Sequence, residues 1–248
     1  VVRQATRSVI LLLVGGAILK TTVSGNYVRY VKEGMWPLLY LAGGAMVAIA
    51  VLGIAGLFRK TAHQGHDHEG HDHDGHEHEH GGRFDAAWLL MVPMLAVLLL
   101  APPALGGFSA NRTGSALGTA PANADYPPLP AGDPVRLSVL DYASRSVFDG
   151  GRTLSDRTVK LSGFVMTGPD NRMYLARMRI TCCAADARPV KIGLSGALPD
   201  GLAPDSWIEV VGRYDPRTDV DEVSAEKVPY LTVATATPIP APKKAYES

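Results

Sequence analysis

Cysteine, net charge and scattered histidine are all scarce in this chain of 248 residues. The only two cysteines, Cys182 and Cys183, are adjacent, which excludes the disulfide framework that holds small secreted domains together. Lys plus Arg number 24 and Asp plus Glu number 24, so there is no basic excess to hold a nucleic-acid backbone. Beyond residue 133 there is no histidine, no Gly-rich phosphate loop and no H-E-x-x-H spacing, and the chain has no C-x-x-C pair. Those absences remove the common nucleophile–base, phosphate-binding, zinc-hydrolase and thiol-oxidoreductase signatures, and no enzyme is expected. A share of 46% apolar residues excludes whole-chain disorder.

What is present is unevenly spread. Long charge-free runs crowd residues 1–108, while strand-like alternation lies almost wholly beyond 133. Trp36 to Phe58 carries no charge, and about 23 helical residues at about 1.5 Å each cross a hydrocarbon core of roughly 30 Å. Small residues at Gly43, Gly44, Ala45, Ala48 and Gly53 would let another helix approach closely. Ala86 to Phe108 is likewise uncharged, with Pro93 as a kink and Pro102 and Pro103 near its end. Ser8 to Ser24 is shorter and carries Lys20, whose stem reaches the interface if the helix ends nearby. A signal peptide is its rival, and the lack of an A-x-A-like site favours a retained span. Spans at 8–24, 36–58 and 86–108 are therefore expected, embedding the chain in a lipid bilayer as a multi-pass protein. Arg3, Arg7, Arg59, Lys60 and Arg83 against Arg29 and Lys32 place the N-terminus and the second loop in the cytoplasm and the C-terminal region outside it.

All eight histidines fall in the loop at 61–82: His63, His66, His68, His71, His73, His76, His78 and His80. They alternate with Asp67, Asp72, Asp74 and three glutamates, Glu69, Glu77 and Glu79. No core can form from such a composition. Neutral imidazole suits zinc, nickel, copper or cobalt, and carboxylates supply oxygen ligands and a negative local potential. The segment reads as a flexible binder of divalent transition metal, zinc foremost. A solvated acidic spacer is the plainer alternative.

Residues 109–133 are rich in Gly, Ala, Pro, Asn and Thr and read as an extended linker. In the domain at 134–248, Val135 to Phe148 has near-helical spacing, and Gly150 and Gly151 end it. Five alternating segments follow: 158–167, 173–182, 190–195, 207–214 and 230–238, with turn signals at 168–171, 199–201 and 215–219. Gly163 and Gly212 inside two of them permit the bulges that curve a sheet. The fold class expected is membrane α plus soluble β: about three spans, then a small five-stranded barrel of the oligonucleotide- and oligosaccharide-binding (OB) type, with a sandwich as the alternative. Such a barrel does not imply nucleic acid, and none is expected. Arg172, Arg177 and Arg179 are close in sequence, and Arg177 and Arg179, alternating with Met178 and Ile180, read as one solvated strand face.

Thr181 to Asp186 is the one chemically suggestive run. Adjacent cysteines in an extended strand point to opposite faces, one into the core. If the chain turns there, both thiolates and Asp186 meet at a soft metal, or the pair closes a vicinal disulfide. Buried small residues are the plain alternative. Two cysteines and an aspartate fall short of a closed zinc site, so a further ligand is needed.

SGNYVRYV at 24–31, MWPLL at 35–39, the His-rich loop, R-x-R-I-T-C-C-A-A-D-A at 177–187 and WIEVVGRY at 207–214 together resemble the YcgQ-like family of bacterial membrane proteins, described as permease subunits with a C-terminal domain of unknown function. The resemblance implies an accessory subunit assembled with a larger multi-span membrane permease and linked to divalent-metal, especially zinc, homeostasis. Its most specific motif, Cys-Cys-x-x-Asp, maps to Cys182, Cys183 and Asp186, and it brings no catalytic residues. The ending APKKAYES departs from the pattern, with Ala245 where proline is expected before Tyr246. The function expected is thus a permease subunit for zinc-like ions. The alternative is a membrane-anchored metal or redox sensor whose outer domain docks a soluble partner.

Overall fold

The computed structural model describes residues 2–62, 96, 100, 104–119, 125–168, 171–199 and 201–247. The histidine–acid loop and most of the third apolar run lie outside these residues. The chain divides into two units, Val1–Tyr27 with Glu33–Pro102, and Val28–Lys32 with Pro103–Ser248.

In the first unit, helices α1 (Val2–Val23) and α2 (Trp36–Ala62) are each long and apolar enough to cross a membrane. Helix α1 starts at Val2 rather than Ser8, and Lys20 sits in its last turn. On α2, Leu38, Leu41 and Leu52 are more than half exposed, a surface suited to lipid rather than water. The helices meet where side chains are small. A Cβ on Gly43 would stand 2.9 Å from Leu19 Cγ, and one on Gly53 would stand 2.5 Å from Ser8 Oγ. Gly44 faces open space, so only part of the small-residue set serves this crossing.

The second unit is a closed barrel. Strands β1 (Val135–Arg136), β2 (Thr158–Thr167), β3 (Met173–Arg179), β4 (Arg188–Gly196), β5 (Trp207–Val220), β6 (Lys227–Pro238) and β7 (Tyr246–Glu247) run in the order β1-β2-β5-β6-β4-β3-β7, and an added β2–β3 pairing closes the ring. The barrel proper is β2-β3-β4-β6-β5, antiparallel except for the parallel pair β4–β6, with β1 and β7 as two extra strands. This is an OB-like arrangement. Strand β2 is shared at the closure: Thr158–Phe164 pairs with β5, and Phe164–Thr167 pairs with β3. Gly163 sits at the changeover, where a Cβ would lie 2.6 Å from Ala176 O. Gly212 marks a bulge in β5, and a Cβ there would lie 2.4 Å from Thr232 O.

Four expectations about this unit differ from the structure. The segment 109–133 is not simply an extended linker. Gly107–Arg112 forms helix α3, and Ala110, Ser115, Ala116 and Leu117 are buried. Ala116 N donates to Pro189 O at 2.8 Å and Leu117 N to Glu226 Oε2 at 2.6 Å, so this strap lies along the sheet. Residues 104–108, expected as the end of a span, belong to the same strap: Leu105 N donates to Tyr246 Oη at 3.0 Å and Gly107 N to Asp205. The strap explains why β2 and β3 are buried on both faces. Leu161, Val165 and Leu175 fill the main core, whereas Phe164, Met166 and Met178 pack with Ala110 in a second cluster.

Arg177 is not on a solvated face. It is 8% exposed, stacks 5.0 Å over Trp207 and lies 3.7 Å from Glu247 Oε1, because β7 covers that side of β3. The run at 215–219 is not a turn either. Strand β5 continues to Val220, and a bulge between Asp215 and Thr218 absorbs Pro216 and Arg217. Asp215, 6% exposed, holds the bulge by accepting from Arg217 N and Thr232 Oγ1. Helix α4 (Val139–Phe148) covers the barrel; its N-cap Ser138 accepts from Asp141 N at 2.9 Å, and Tyr142 Oη donates to Tyr230 O at 2.6 Å.

Candidate metal centre

Strand β3 ends at Arg179, three residues short of the expected Cys182. Asp186 is the reason. Its carboxylate takes the backbone N–H groups that a longer strand would offer to its neighbour: Thr181 N donates to Oδ1 at 2.8 Å, and Cys182 N and Cys183 N donate to Oδ2 at 2.8 and 3.3 Å. The chain then makes a 3-10 turn over Ala184–Asp186, capped by Cys183. Of the two sequence alternatives, strand or turn, the structure has the turn.

The turn brings both sulfurs and the carboxylate together. Ligand atoms of Cys182, Cys183 and Asp186 all lie within 4.8 Å of one another. The two cysteines are separate thiols with Sγ atoms 3.7 Å apart, and Cys182 Sγ donates to Asp186 Oδ2 at 2.9 Å. Cys182 is exposed and Cys183 and Asp186 are half-buried, so neither cysteine is an ordinary core residue. A cleft of about 180 Å³ lined by Arg179, Thr181, Asp186 and Arg188 opens beside the turn.

Protonation follows from this geometry. The hydrogen bond to Asp186, with Cys183 adding to it, pushes the Cys182 thiol up to about 11. The same Cys182 contact, together with the N–H groups of Thr181 and Cys182, holds the Asp186 carboxyl well below the usual carboxylate range. The proton therefore resides on sulfur. A thiol of that kind is a poor nucleophile and a poor redox thiol at neutral pH. A cation would reverse the balance, since it favours thiolates beside a carboxylate.

The spacing is compatible with both sulfurs binding one tetrahedral ion. Two sulfurs each bonded at about 2.3 Å to one ion at the tetrahedral angle stand about 3.8 Å apart. The 3.7 Å separation matches that edge. Two-coordinate linear binding would separate the sulfurs by roughly twice the bond length. Cys182, Cys183 and Asp186 thus form a cluster able to coordinate a metal ion, with one position of a tetrahedron left for an outside donor. The candidate ligands His63, His66, His68, His71, His73, His76, His78, His80, Asp67, Asp72 and Asp74 lie outside the described residues.

One participant has no chemical signature in the sequence. Tyr30, Val31 and Lys32, between α1 and α2, belong to the barrel unit. Val31 forms an antiparallel bridge with Cys183, Lys32 N donates to Cys182 O at 3.0 Å, and Ala184 N donates to Tyr30 O at 2.7 Å. The alternation of aromatic and β-branched residues in YVRYV at 27–31 was the only available hint.

Residues 6–115 match the model of the DUF1980 N-terminal domain, and residues 149–247 that of the DUF1980 C-terminal domain. Comparison with curated proteins gives no match.

Proposed function

Starting from a membrane-anchored protein with DUF1980 N- and C-terminal domains, we propose that the chain is a non-enzymatic accessory subunit of a multi-span permease that handles divalent metal, zinc above all. In this reading the barrel faces the outside and presents Cys182, Cys183 and Asp186 to the ion, while the histidine–acid loop gathers the same ions in the cytoplasm. The observation that carries the metal assignment is the convergence of two thiols and a carboxylate at tetrahedral spacing. The permease assignment rests on the likeness to YcgQ-like proteins and on the apolar helices. The open coordination position supports exchange of the ion rather than permanent structural retention. The raised Cys182 thiol counts against the redox-sensor alternative.

Affinity purification of the full chain from native membranes, followed by mass identification of its companions, tests the partnership. A multi-span membrane protein in stoichiometric amount is expected. Recovery of the chain alone, under detergents that preserve other membrane complexes, would overturn it.

A further inference from the structure

The cysteine turn is held along two edges. Asp186 takes the N–H groups of Thr181, Cys182 and Cys183. The 30–32 segment takes what remains around Cys183: the carbonyl of the residue before it, from Lys32 N, and the N–H of the residue after it, to Tyr30 O. Those two bonds bracket Cys183 and hold the carbonyl of Cys182. The segment is also continuous with α1, which ends at Val23, and with α2, which begins at Trp36. Only Glu33, Gly34 and Met35 separate Lys32 from Trp36 in the chain, so the paired segment is covalently continuous with α2.

We propose that Tyr30–Lys32 are positioning residues for the metal centre, and that metal binding at Cys182 and Cys183 is coupled to docking of this segment between the two membrane helices. The inference rests on the metal reading above. A metal fixes the sulfur positions and so the Cys182–Ala184 backbone. A fixed backbone offers Tyr30 and Lys32 a permanent pairing edge, and by reciprocity a docked segment raises metal affinity by the same factor. The ion is then reported, through two backbone hydrogen bonds, to the segment that joins α1 to α2 in the chain. No side chain from 30–32 has to act as a ligand.

The full chain in detergent micelles, titrated with cobalt(II), gives a sulfur-to-metal absorption band that reports only thiolate-bound ion. Hydrogen exchange is followed at the Lys32 and Ala184 amides. With metal, both amides are expected to slow at least tenfold in the parent chain and to stay unchanged in a Cys182→Ser, Cys183→Ser variant. Lys32→Pro, which removes the donor to Cys182 O and touches no ligand, is expected to weaken cobalt binding about tenfold while the band keeps its shape. If the band forms but exchange at residue 32 does not respond, or if Lys32→Pro binds as tightly as the parent, the coupling is refuted and the metal centre stands. Should Lys32→Pro misfold, the exchange comparison decides alone. If no band forms in the parent chain, the metal reading fails and the coupling with it.

Discussion

At the scale of single residues, Asp186 does two jobs: it shapes the turn and sets the proton on Cys182. Asp186→Asn keeps some acceptor capacity but loses the charge, so two readouts should move in opposite directions. Alkylation of Cys182 at pH 8 should become faster, because the thiol returns towards its ordinary value, while zinc affinity should fall about 10- to 100-fold in a competition titration. In the parent chain zinc affinity should rise with pH, about tenfold per unit for the proton held on Cys182 alone, because its thiol must be deprotonated to bind. The carboxylate shifts the opposite way but acts in the same direction, at lower pH. Its folded value is depressed, so the clamp on the turn is fully present above the unfolded carboxylate value of about 4 and is lost as pH falls through the depressed folded value. The ligand types at this site were legible in sequence as two thiols and an acid. Their convergence was not, because it depends on Asp186 diverting three N–H groups from the strand.

Among the elements, β7 shows how a few residues fasten distant pieces. Glu247 accepts from Val139 N and Leu140 N at 2.9 Å each, at the start of α4, and Ile180 N donates to its carbonyl at 3.0 Å. Its side chain is 12% exposed, so Glu247→Ala should cost about 1–2 kcal/mol of barrel stability, read as a lowered midpoint in denaturant. An unchanged midpoint would show that water replaces the carboxylate without loss. The five barrel strands were legible because alternation is local: β2 occupies 158–167 as expected. The strap, β7 and the burial of Arg177 were not. Each depends on a partner far along the chain, such as Asp205 for Gly107 and Glu247 for Arg177. Gly212 was legible because a bulge demands glycine where Thr232 O approaches. The bulge that keeps 215–219 in strand was hidden by residues that elsewhere make turns.

For the whole molecule, the pairing of 30–32 with 182–184 constrains topology. If α1 and α2 cross the membrane as proposed, both segments share one aqueous compartment, and the proposed topology requires an even number of crossings between Lys32 and the strap. In that proposal α2 is one crossing and the uncharged run before Pro102 the second. In a Cys182→Ser, Cys183→Ser background, a single cysteine at 222 should then react with a membrane-impermeant maleimide added to intact cells, and one at 70 only after the cells are opened. Labelling of both from the outside would contradict the three-span reading. The most direct test of the metal centre is zinc-edge X-ray absorption on the chain lacking residues 63–80, loaded with one equivalent of zinc. Two sulfur neighbours at about 2.3 Å and lighter donors at about 2.0–2.2 Å are expected, with the sulfur signal lost in Cys182→Ser, Cys183→Ser. A zinc environment without sulfur, or no retained zinc, would contradict the metal assignment.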